Sequence, residues 1–227
     1  PTDCADFVAA QCMKRNCTTQ GISWIAFLFR SRPRPWAPVL AFTQLGIVAF
    51  RQLFLQPKPQ LVHARSYVPA AIALLLFRLT GVPFIFDMRA LWPEELVTAG
   101  RLRRNSLLFR SLICLEKNCL KDASAVVSLT HAAIKHLKVK YPHQLAGQRL
   151  AVIPTCVDLQ RFQFAEVSGS SQVVIGCIGT VLSGWFLIDW LRSFFDAVFR
   201  ADPTARFELI SRDPPDAIIT ALEPSIS

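Results

Sequence analysis

Charged and hydroxyl-bearing side chains follow or end the apolar runs between residues 61 and 162. Three of these runs are typical of strands that are each followed by a helical segment, and a fourth, IPTCVD, closes the stretch. In an open parallel sheet, ligands bind at the carboxyl ends of the strands. We therefore expect one cleft to collect six side chains, which are those of Arg65, Asp87, Arg89, Glu94, Glu95 and Thr130.

The largest number of charged residues follows the strand at 82–86. Asp87-x-Arg89 comes directly after this strand and shortly before Glu94-Glu95. The planar guanidinium of Arg89 suits a phosphate or a cluster of hydroxyl groups, and Arg65 is placed similarly at the end of the preceding strand. A carboxylate at position 87 or 94 would polarise a hydroxyl group. A purely structural ion pair between Asp87 and Arg89 is the alternative interpretation.

A second candidate site is the glycine-containing loop in which Gly176, Gly179 and Gly184 follow a strand and open a helix. A helix N-terminus presents free N–H groups and the positive end of a dipole, so this position suits a phosphate. The loop matches neither a P-loop nor a G-x-G-x-x-G fingerprint. A tight strand-to-helix turn without a ligand is the alternative.

Metal and hydrolase signatures are missing from the sequence. His131 and His136 are five residues apart rather than four, and no H-E-x-x-H or G-x-S-x-G occurs. Seven cysteines without a C-x-x-C pair predict neither a zinc site nor a disulfide framework. Cysteine usage of this kind favours a reducing cytosol. No metal site is predicted.

The net charge of +9 is distributed unevenly. Residues 1–165 hold 21 Lys and Arg against 8 Asp and Glu, whereas residues 166–227 hold 4 against 8. Such asymmetry predicts an anionic ligand or surface for the first part. We favour anionic lipid headgroups or a diphosphate lipid over nucleic acid, since no aromatic-interleaved basic sheet, helix-turn-helix or zinc finger is present. The alternative is that these basic residues lie on ordinary solvent-exposed faces that bind no ligand. The basic clusters are Arg101, Arg103, Arg104 and Arg110, and Lys135, Lys138 and Lys140.

Strands alternate with helices on both sides of a polar linker, EVSGSSQ, which predicts two α/β units. The expected strands are residues 22–29, 61–66, 82–86, 123–129, 150–153, 173–178 and 206–210. The expected helices are residues 3–18, 39–55, 69–79, 105–121 with Asn105 as N-cap, 130–140 with Thr130 as N-cap, and 185–200. Residues 92–104 look mobile, and helix 39–55 is either a core helix or one lying along a membrane surface.

The blocks HARSYVPA, PFIFDMRALWPEE, VVSLT and VIPTCVDLQRF resemble the acceptor half of a GT-B glycosyltransferase of the group 1, family 4-like kind. IGCIGTVLSGWFLIDWLRSFF resembles the start of the donor-binding half. The resemblance covers most of residues 21–211, in the family's order. It implies an acceptor-binding Rossmann-like domain at 1–165, a linker at 166–172 and part of a nucleotide-sugar-binding domain at 173–227. We expect a fragment in which the first unit lacks its first strand and the second is truncated.

The resemblance also implies roles for individual residues. Asp87 and Glu94 become candidate catalytic groups, and Gly179 and Thr180 become candidate ligands of the donor diphosphate. The remaining four form the implied acceptor site, which is Arg65, Arg89, Glu95 and Thr130. The chain departs from the family pattern in having no His close to Asp87 in the sequence. It also has Leu182, Ser183 and Trp185 where many relatives carry Arg and Lys.

The implied activity is hexosyltransferase-like: retaining transfer of a sugar from a nucleotide-sugar donor to a saccharide or lipid-linked acceptor, as in polysaccharide biosynthesis. The resemblance implies no cofactor and no obligatory metal, and it places the protein in the cytoplasm or on the inner face of the membrane. Two alternatives stay open. One is a nucleotide-sugar 2-epimerase of the same fold, and the other is a non-catalytic truncated product that binds an anionic membrane surface.

Overall fold

The computed structural model describes residues 4–26, 37–55, 58–164, 172–182 and 186–223. The helices are α1 (Cys4–Thr19), α2 (Ala37–Gln52), α3 (Tyr67–Thr80), α4 (Trp92–Thr98), α5 (Leu107–Asp122), α6 (His131–Lys140), α7 (Ile188–Ala201) and α8 (Pro215–Leu222). The strands are β1 (Val62–Arg65), β2 (Phe84–Met88), β3 (Ala125–Ser128), β4 (Leu150–Val152), β5 (Val174–Ile178) and β6 (Arg206–Ile210). They form a four-stranded sheet and a two-stranded sheet, and every strand pair is parallel. The predicted α/β fold class is therefore confirmed.

The four-stranded sheet has the order β1-β2-β3-β4, so the chain always moves on to the next strand in the same direction. Crossover connections between parallel strands are right-handed, which places successive helices of such a series on the same face. The core agrees with this rule, because side chains of α3, α5 and α6 belong to one hydrophobic cluster with side chains of the sheet, so the three helices cover the same face. Its strand residues are Ala64, Phe84, Phe86, Met88 and Val126. The near-continuous apolar strands predict helices on both faces, whereas this core lies against one face only.

Local signals set several helix ends. Gly81 adopts the left-handed conformation (φ 75°) and its N–H bonds to the carbonyl of Phe77, ending α3 as predicted. The hydroxyl of Thr130 accepts a hydrogen bond from the Ala133 N–H at 3.1 Å and caps α6, also as predicted. At α5 the prediction is wrong by one residue, because Ser106 rather than Asn105 caps the helix.

Two predicted elements differ in the structure. In the segment 92–104, which was predicted to be mobile, a helix forms: α4 occupies Trp92–Thr98 with Pro93 in its first turn. Proline fits there because the first helical N–H groups lack an intrahelical partner anyway. Residues 22–26 lie outside any helix or strand, whereas a strand was predicted at 22–29. The rest of that prediction, like most of the linker at 166–172, falls outside the described residues.

Helix α2 has a mixed environment. Leu45 and Ala49 of α2, with Leu53 just beyond its end, pack against α3 beside Ile72 and Leu76. Part of α2 is therefore a core helix, which is one of the two interpretations that the sequence left open. The remaining apolar side chains border an open groove of about 480 Å³ between α2 and α3. Exposed side chains in that groove are Phe42, Ile47, Phe50, Leu75 and Leu79. In the part of the chain that the structure describes, no helix combines the length and apolarity needed to cross a membrane.

The two-stranded sheet has a core of its own. Leu191 and Phe195 of α7 and Ile218 and Leu222 of α8 form its buried cluster with Val181. The ring of Phe195 lies 4.4 Å from that of Phe207 on β6, measured between centroids. Helix α8 was not predicted.

Candidate functional site

A groove of about 510 Å³ lies on the face of the four-stranded sheet opposite the core. His63 and Arg65 of β1 and Ile85 and Asp87 of β2 line it, alternating along each strand with the buried residues of the core. This alternation follows from the pleat, which points successive side chains to opposite faces. The groove continues past the carboxyl ends of the strands. There it is lined by Arg89, Leu129, Ile153, Pro154, Thr155 and Cys156.

Asp87 occupies the centre of this groove because of strand register. Arg65 pairs with Asp87 across β1 and β2, and Asp87 pairs in turn with Val127 of β3. The Asp87 side chain is only 16% exposed, and the two arginine side chains are exposed around it. Three of the predicted site residues, Arg65, Asp87 and Arg89, thus line a common groove.

His63 joins this group, although it is not among the site residues predicted from the sequence. Its Nε2 lies 3.2 Å from Oδ2 of Asp87, and its side chain is 60% exposed. Asp87 has no His near it in the sequence, but in the structure this His, 24 residues away along the chain, contacts it. A signal was available in the sequence, because His63 and Arg65 are two apart on one strand and must share a face.

The turn after β1 carries backbone strain. Ser66 has φ 74° and ψ 177°, a region that residues other than glycine rarely occupy. The Ser66 N–H donates to the carbonyl oxygen of Asp87 at 2.9 Å, so this turn is fixed to the end of β2. The strained residue therefore connects Arg65 to the start of α3 immediately beside the groove.

Glu94 lies apart from Asp87, in a different set of contacts. Its two carboxylate oxygens meet Nζ of Lys140 at 3.1 Å and Nη2 of Arg104 at 2.8 Å. Burial by itself would raise the pKa of Glu94, but the hydrogen bonds and positive charges of Lys140 and Arg104 outweigh it and hold the pKa below its usual value. Glu94 thereby attaches α4 to the last turn of α6.

A buried carboxylate extends this set of contacts into the core. Glu116 of α5 accepts hydrogen bonds from the hydroxyls of Tyr67 and Tyr141, and Nζ of Lys140 lies 3.7 Å from its Oε1. Burial, together with the hydrogen bond to Glu116 and its charge, raises the pKa of both tyrosines. This cluster joins α3, α5 and α6 and is separate from the groove-lining residues.

The other predicted acceptor residues have local roles in the structure. Thr130 caps α6, as described above, and is exposed. Glu95 is exposed in the first turn of α4, where a negative charge favours the helix dipole. Neither residue lines the groove. Whether Thr130 or Glu95 contacts an acceptor stays a prediction.

The loop after β5 contains the predicted donor residues. The Gly179 N–H bonds to the carbonyl of Ile210 at 3.0 Å, and Thr180 is exposed. A Cβ on Gly179 would lie 3.0 Å from the Phe186 ring, so a larger residue here would have to displace that ring. The Leu182 N–H in the same loop donates to Oδ2 of Asp213 at 2.9 Å. Residues 183–185 of the loop fall outside the described residues.

Metal-ligating side chains do not cluster in the described ranges, where no group of three His, Cys, Asp or Glu is close enough to hold an ion. The groove offers one imidazole and one carboxylate with two guanidinium groups. Such a set can bind an anion or a polyhydroxylated ligand and can accept a proton or hydrogen bond from its hydroxyls.

All residues that line this groove fall within a segment that matches a protein-family model. Residues 22–161 match the model described as Glycosyltransferase Family 4. The match spans more than half of the chain and includes all four strands of the larger sheet. A search of curated proteins finds none that matches this chain.

Proposed function

This chain belongs to Glycosyltransferase Family 4, and on that basis we propose that it transfers a sugar from a nucleotide-sugar donor to a saccharide or lipid-linked acceptor, with retention at the anomeric carbon. The observation that carries the proposal is the arrangement of Asp87 with His63, Arg65 and Arg89 in one groove. This groove is proposed as the acceptor site.

Asp87 is the proposed partner of the reacting acceptor hydroxyl. One of its oxygens lies near His63 Nε2, which leaves the other to accept a hydrogen bond from the acceptor. Glu94 is the weaker candidate, because Lys140 and Arg104 contact both of its oxygens and stabilise its charged form. A carboxylate held in this way is a poor hydrogen-bond acceptor for a further ligand and a poor base.

Arg65 and Arg89 are proposed to hold the non-reacting part of the acceptor. Both guanidinium groups are exposed at the carboxyl edge, and a planar fork binds phosphate or paired hydroxyls in two hydrogen bonds. An acceptor carrying a phosphate or diphosphate would satisfy both arginines, which supports a lipid-linked acceptor. The net positive charge of residues 1–165 favours the same ligand class.

The donor is proposed to bind with its diphosphate near Gly179 and Thr180, beyond a linker at 166–172. In the transfer, the acceptor oxygen forms a bond to the anomeric carbon on the face from which the diphosphate leaves, and the bond from that carbon to the diphosphate oxygen breaks. The proton of the acceptor hydroxyl passes to Asp87. Fixed dipoles near the departing diphosphate would stabilise its charge. The proposal includes neither a metal nor a cofactor. The cysteines whose side chains the structure describes are unpaired, which supports a reducing, cytoplasmic setting.

The test is sugar transfer by the purified chain, with a panel of nucleotide sugars and both soluble and lipid-linked acceptors. Nucleoside diphosphate release and product mass are followed together, so that acceptor-dependent transfer is separated from acceptor-independent epimerisation of the donor. Asp87→Asn is expected to lower kcat by about 100-fold or more. Asp122→Asn is the matched control, because Asp122 is also partly buried and its ion-pair partner among the described residues is Arg78, away from the groove.

Three outcomes would contradict parts of the proposal. Epimerisation without acceptor would replace transfer as the function. Full activity in Asp87→Asn together with loss in Glu94→Gln would move the reacting carboxylate to α4. A folded chain that consumes no donor with any acceptor would exclude transfer by this chain.

A further inference from the structure

His63 is the side-chain partner of Asp87 in the groove. Its Nε2 lies 3.2 Å from Oδ2 of Asp87, and no other described side chain forms a hydrogen bond or ion pair with that carboxylate. The carboxylate is the less accessible member of the pair, because its side chain is 16% exposed whereas that of His63 is 60% exposed. The accessible imidazole therefore determines how the more buried carboxylate is held.

Strand register fixes the geometry of this pair. His63 pairs with Ile85 across β1 and β2, and Arg65 pairs with Asp87, so His63 and Asp87 are diagonal neighbours on one face of the sheet. Diagonal neighbours are within reach of long and aromatic side chains. A carboxylate rotates easily about its terminal torsion. The contact with Nε2 holds Oδ2 in place and leaves Oδ1 of Asp87 for the acceptor hydroxyl.

The imidazole is also the groove-lining group whose charge ordinarily changes near neutral pH. The other titratable residues that line the groove are Asp87, Arg65, Arg89 and Cys156. Guanidinium groups stay charged, and carboxyl and thiol groups ordinarily titrate below and above the neutral range. Protonation of His63 adds a positive charge beside Asp87, and a positive neighbour makes a carboxylate a weaker proton acceptor. A transfer that uses Asp87 as proton acceptor should therefore slow when His63 is protonated.

We propose that His63 is a positioning residue for the sugar transfer and that its protonation lowers the rate. Neutral His63 donates its Nε2 proton to Oδ2 of Asp87 and keeps that proton throughout the reaction. The acceptor hydroxyl passes its own proton to Oδ1 as its oxygen bonds to the anomeric carbon, and the diphosphate leaves with the electron pair of the broken bond. Asp87 then releases the proton to solvent. This inference rests on the proposed sugar transfer and adds the residue that sets the orientation and the pH dependence of its reacting carboxylate.

The experiment measures sugar transfer by the purified chain between about pH 5 and 8, with kcat and the acceptor KM obtained at each pH. His63→Gln keeps an N–H donor for Asp87 but cannot take up a proton. Its kcat near neutral pH should stay within about threefold of the parent chain, and the loss of rate at acidic pH should disappear. His63→Ala removes the donor, so it should lower kcat about tenfold or more and leave the acceptor KM nearly unchanged.

The matched control is His136→Gln, because His136 is exposed on α6 and does not line the groove. It should keep the pH profile of the parent chain. The same acidic loss of rate in His63→Gln as in the parent would show that His63 does not set the pH dependence. Full kcat in His63→Ala would exclude the positioning role, and a raised KM with unchanged kcat would make His63 an acceptor-binding residue instead.

A second measurement needs neither donor nor acceptor. The chain has four histidines, so the ring signals of His63 can be identified by NMR from their absence in His63→Gln. At about pH 8, where an imidazole is ordinarily neutral, Asp87→Asn should move the His63 signals and Asp122→Asn should leave them in place.

These ring signals separate the two possible failures. His63 signals that do not respond to Asp87→Asn would show that the pair does not form, whatever the transfer assay finds. Signals that respond as expected in a chain that transfers no sugar would contradict the proposed function, and the role of His63 in that reaction would fall with it.

Discussion

Alkaline pH should unfold this protein before it ionises either tyrosine. Tyr67 and Tyr141 are the only two tyrosines of the chain, and both donate their hydroxyls to the buried carboxylate of Glu116. Burial and the adjacent Glu116 raise the pKa of each phenol above its ordinary value of 10.0. The folded state therefore keeps two protons that the unfolded chain releases.

The size of the effect follows from proton linkage. The stabilisation from the protonated phenols is fully present below pH 10 and is lost as the pH rises from there towards the raised pKa values of the folded state. Each retained proton lowers the free energy of unfolding by about 1.4 kcal/mol per pH unit. The two tyrosines together give a slope of about 2.7 kcal/mol per pH unit.

Tyr67→Phe isolates one of these protons. It should reduce the alkaline slope by about 1.4 kcal/mol per pH unit. At neutral pH it should cost about 1.5–3 kcal/mol, because a hydrogen bond to a buried charged group is removed. Tyr141→Phe is the matched variant, since that ring is also buried and its hydroxyl has the same acceptor.

The assay combines urea denaturation at a series of pH values with tyrosinate ultraviolet absorption and circular dichroism. Because the chain has no third tyrosine, the absorption reports these two side chains alone. Tyrosinate should appear together with the loss of helix. Tyrosinate that forms near pH 10 with the helical signal intact would refute the reasoning, as would an alkaline slope that is the same in the parent chain and in Tyr67→Phe.

One further substitution tests the turn beside the groove, and one labelling experiment tests the core. Ser66→Gly should raise the free energy of unfolding by about 1 kcal/mol in urea denaturation, because it removes strain at φ 74°; Ser111→Gly, on the exposed face of α5, is the control and should lower it. A decrease in Ser66→Gly would contradict the strained turn. Cys119 should react with iodoacetamide about a thousandfold more slowly than exposed Cys114 in the folded protein near pH 8, because burial, and then Asp122, raises the pKa of its thiol to about 12. Equal labelling of the two cysteines by mass spectrometry would show that Cys119 is not buried.

The sequence by itself determined the class of fold and many element positions. Runs of apolar residues predicted all six described strands, and the order of strands and helices predicted parallel sheets. Thr130 and Gly81 marked helix ends correctly because capping needs only groups within a few residues of chain. Helix α4, in the segment that the sequence predicted to be mobile, also depends on a local signal, because Pro93 is compatible with a first helical turn.

Tertiary structure alone decided which side chains meet. His63 reaches Asp87 across 24 residues because β1 and β2 pair in a particular register, and no local signal fixes that register. Glu94 meets Lys140 across 46 residues because α4 and α6 come together at the same end of the core. Glu94 and Asp87 are close in the sequence, and the sequence therefore predicted one site for both. In the structure, strand pairing gives Asp87 the partner His63, whereas helix packing gives Glu94 the partner Lys140. The physical reason is that long-range contacts depend on how whole elements pack, whereas caps and strand alternation depend on neighbouring residues.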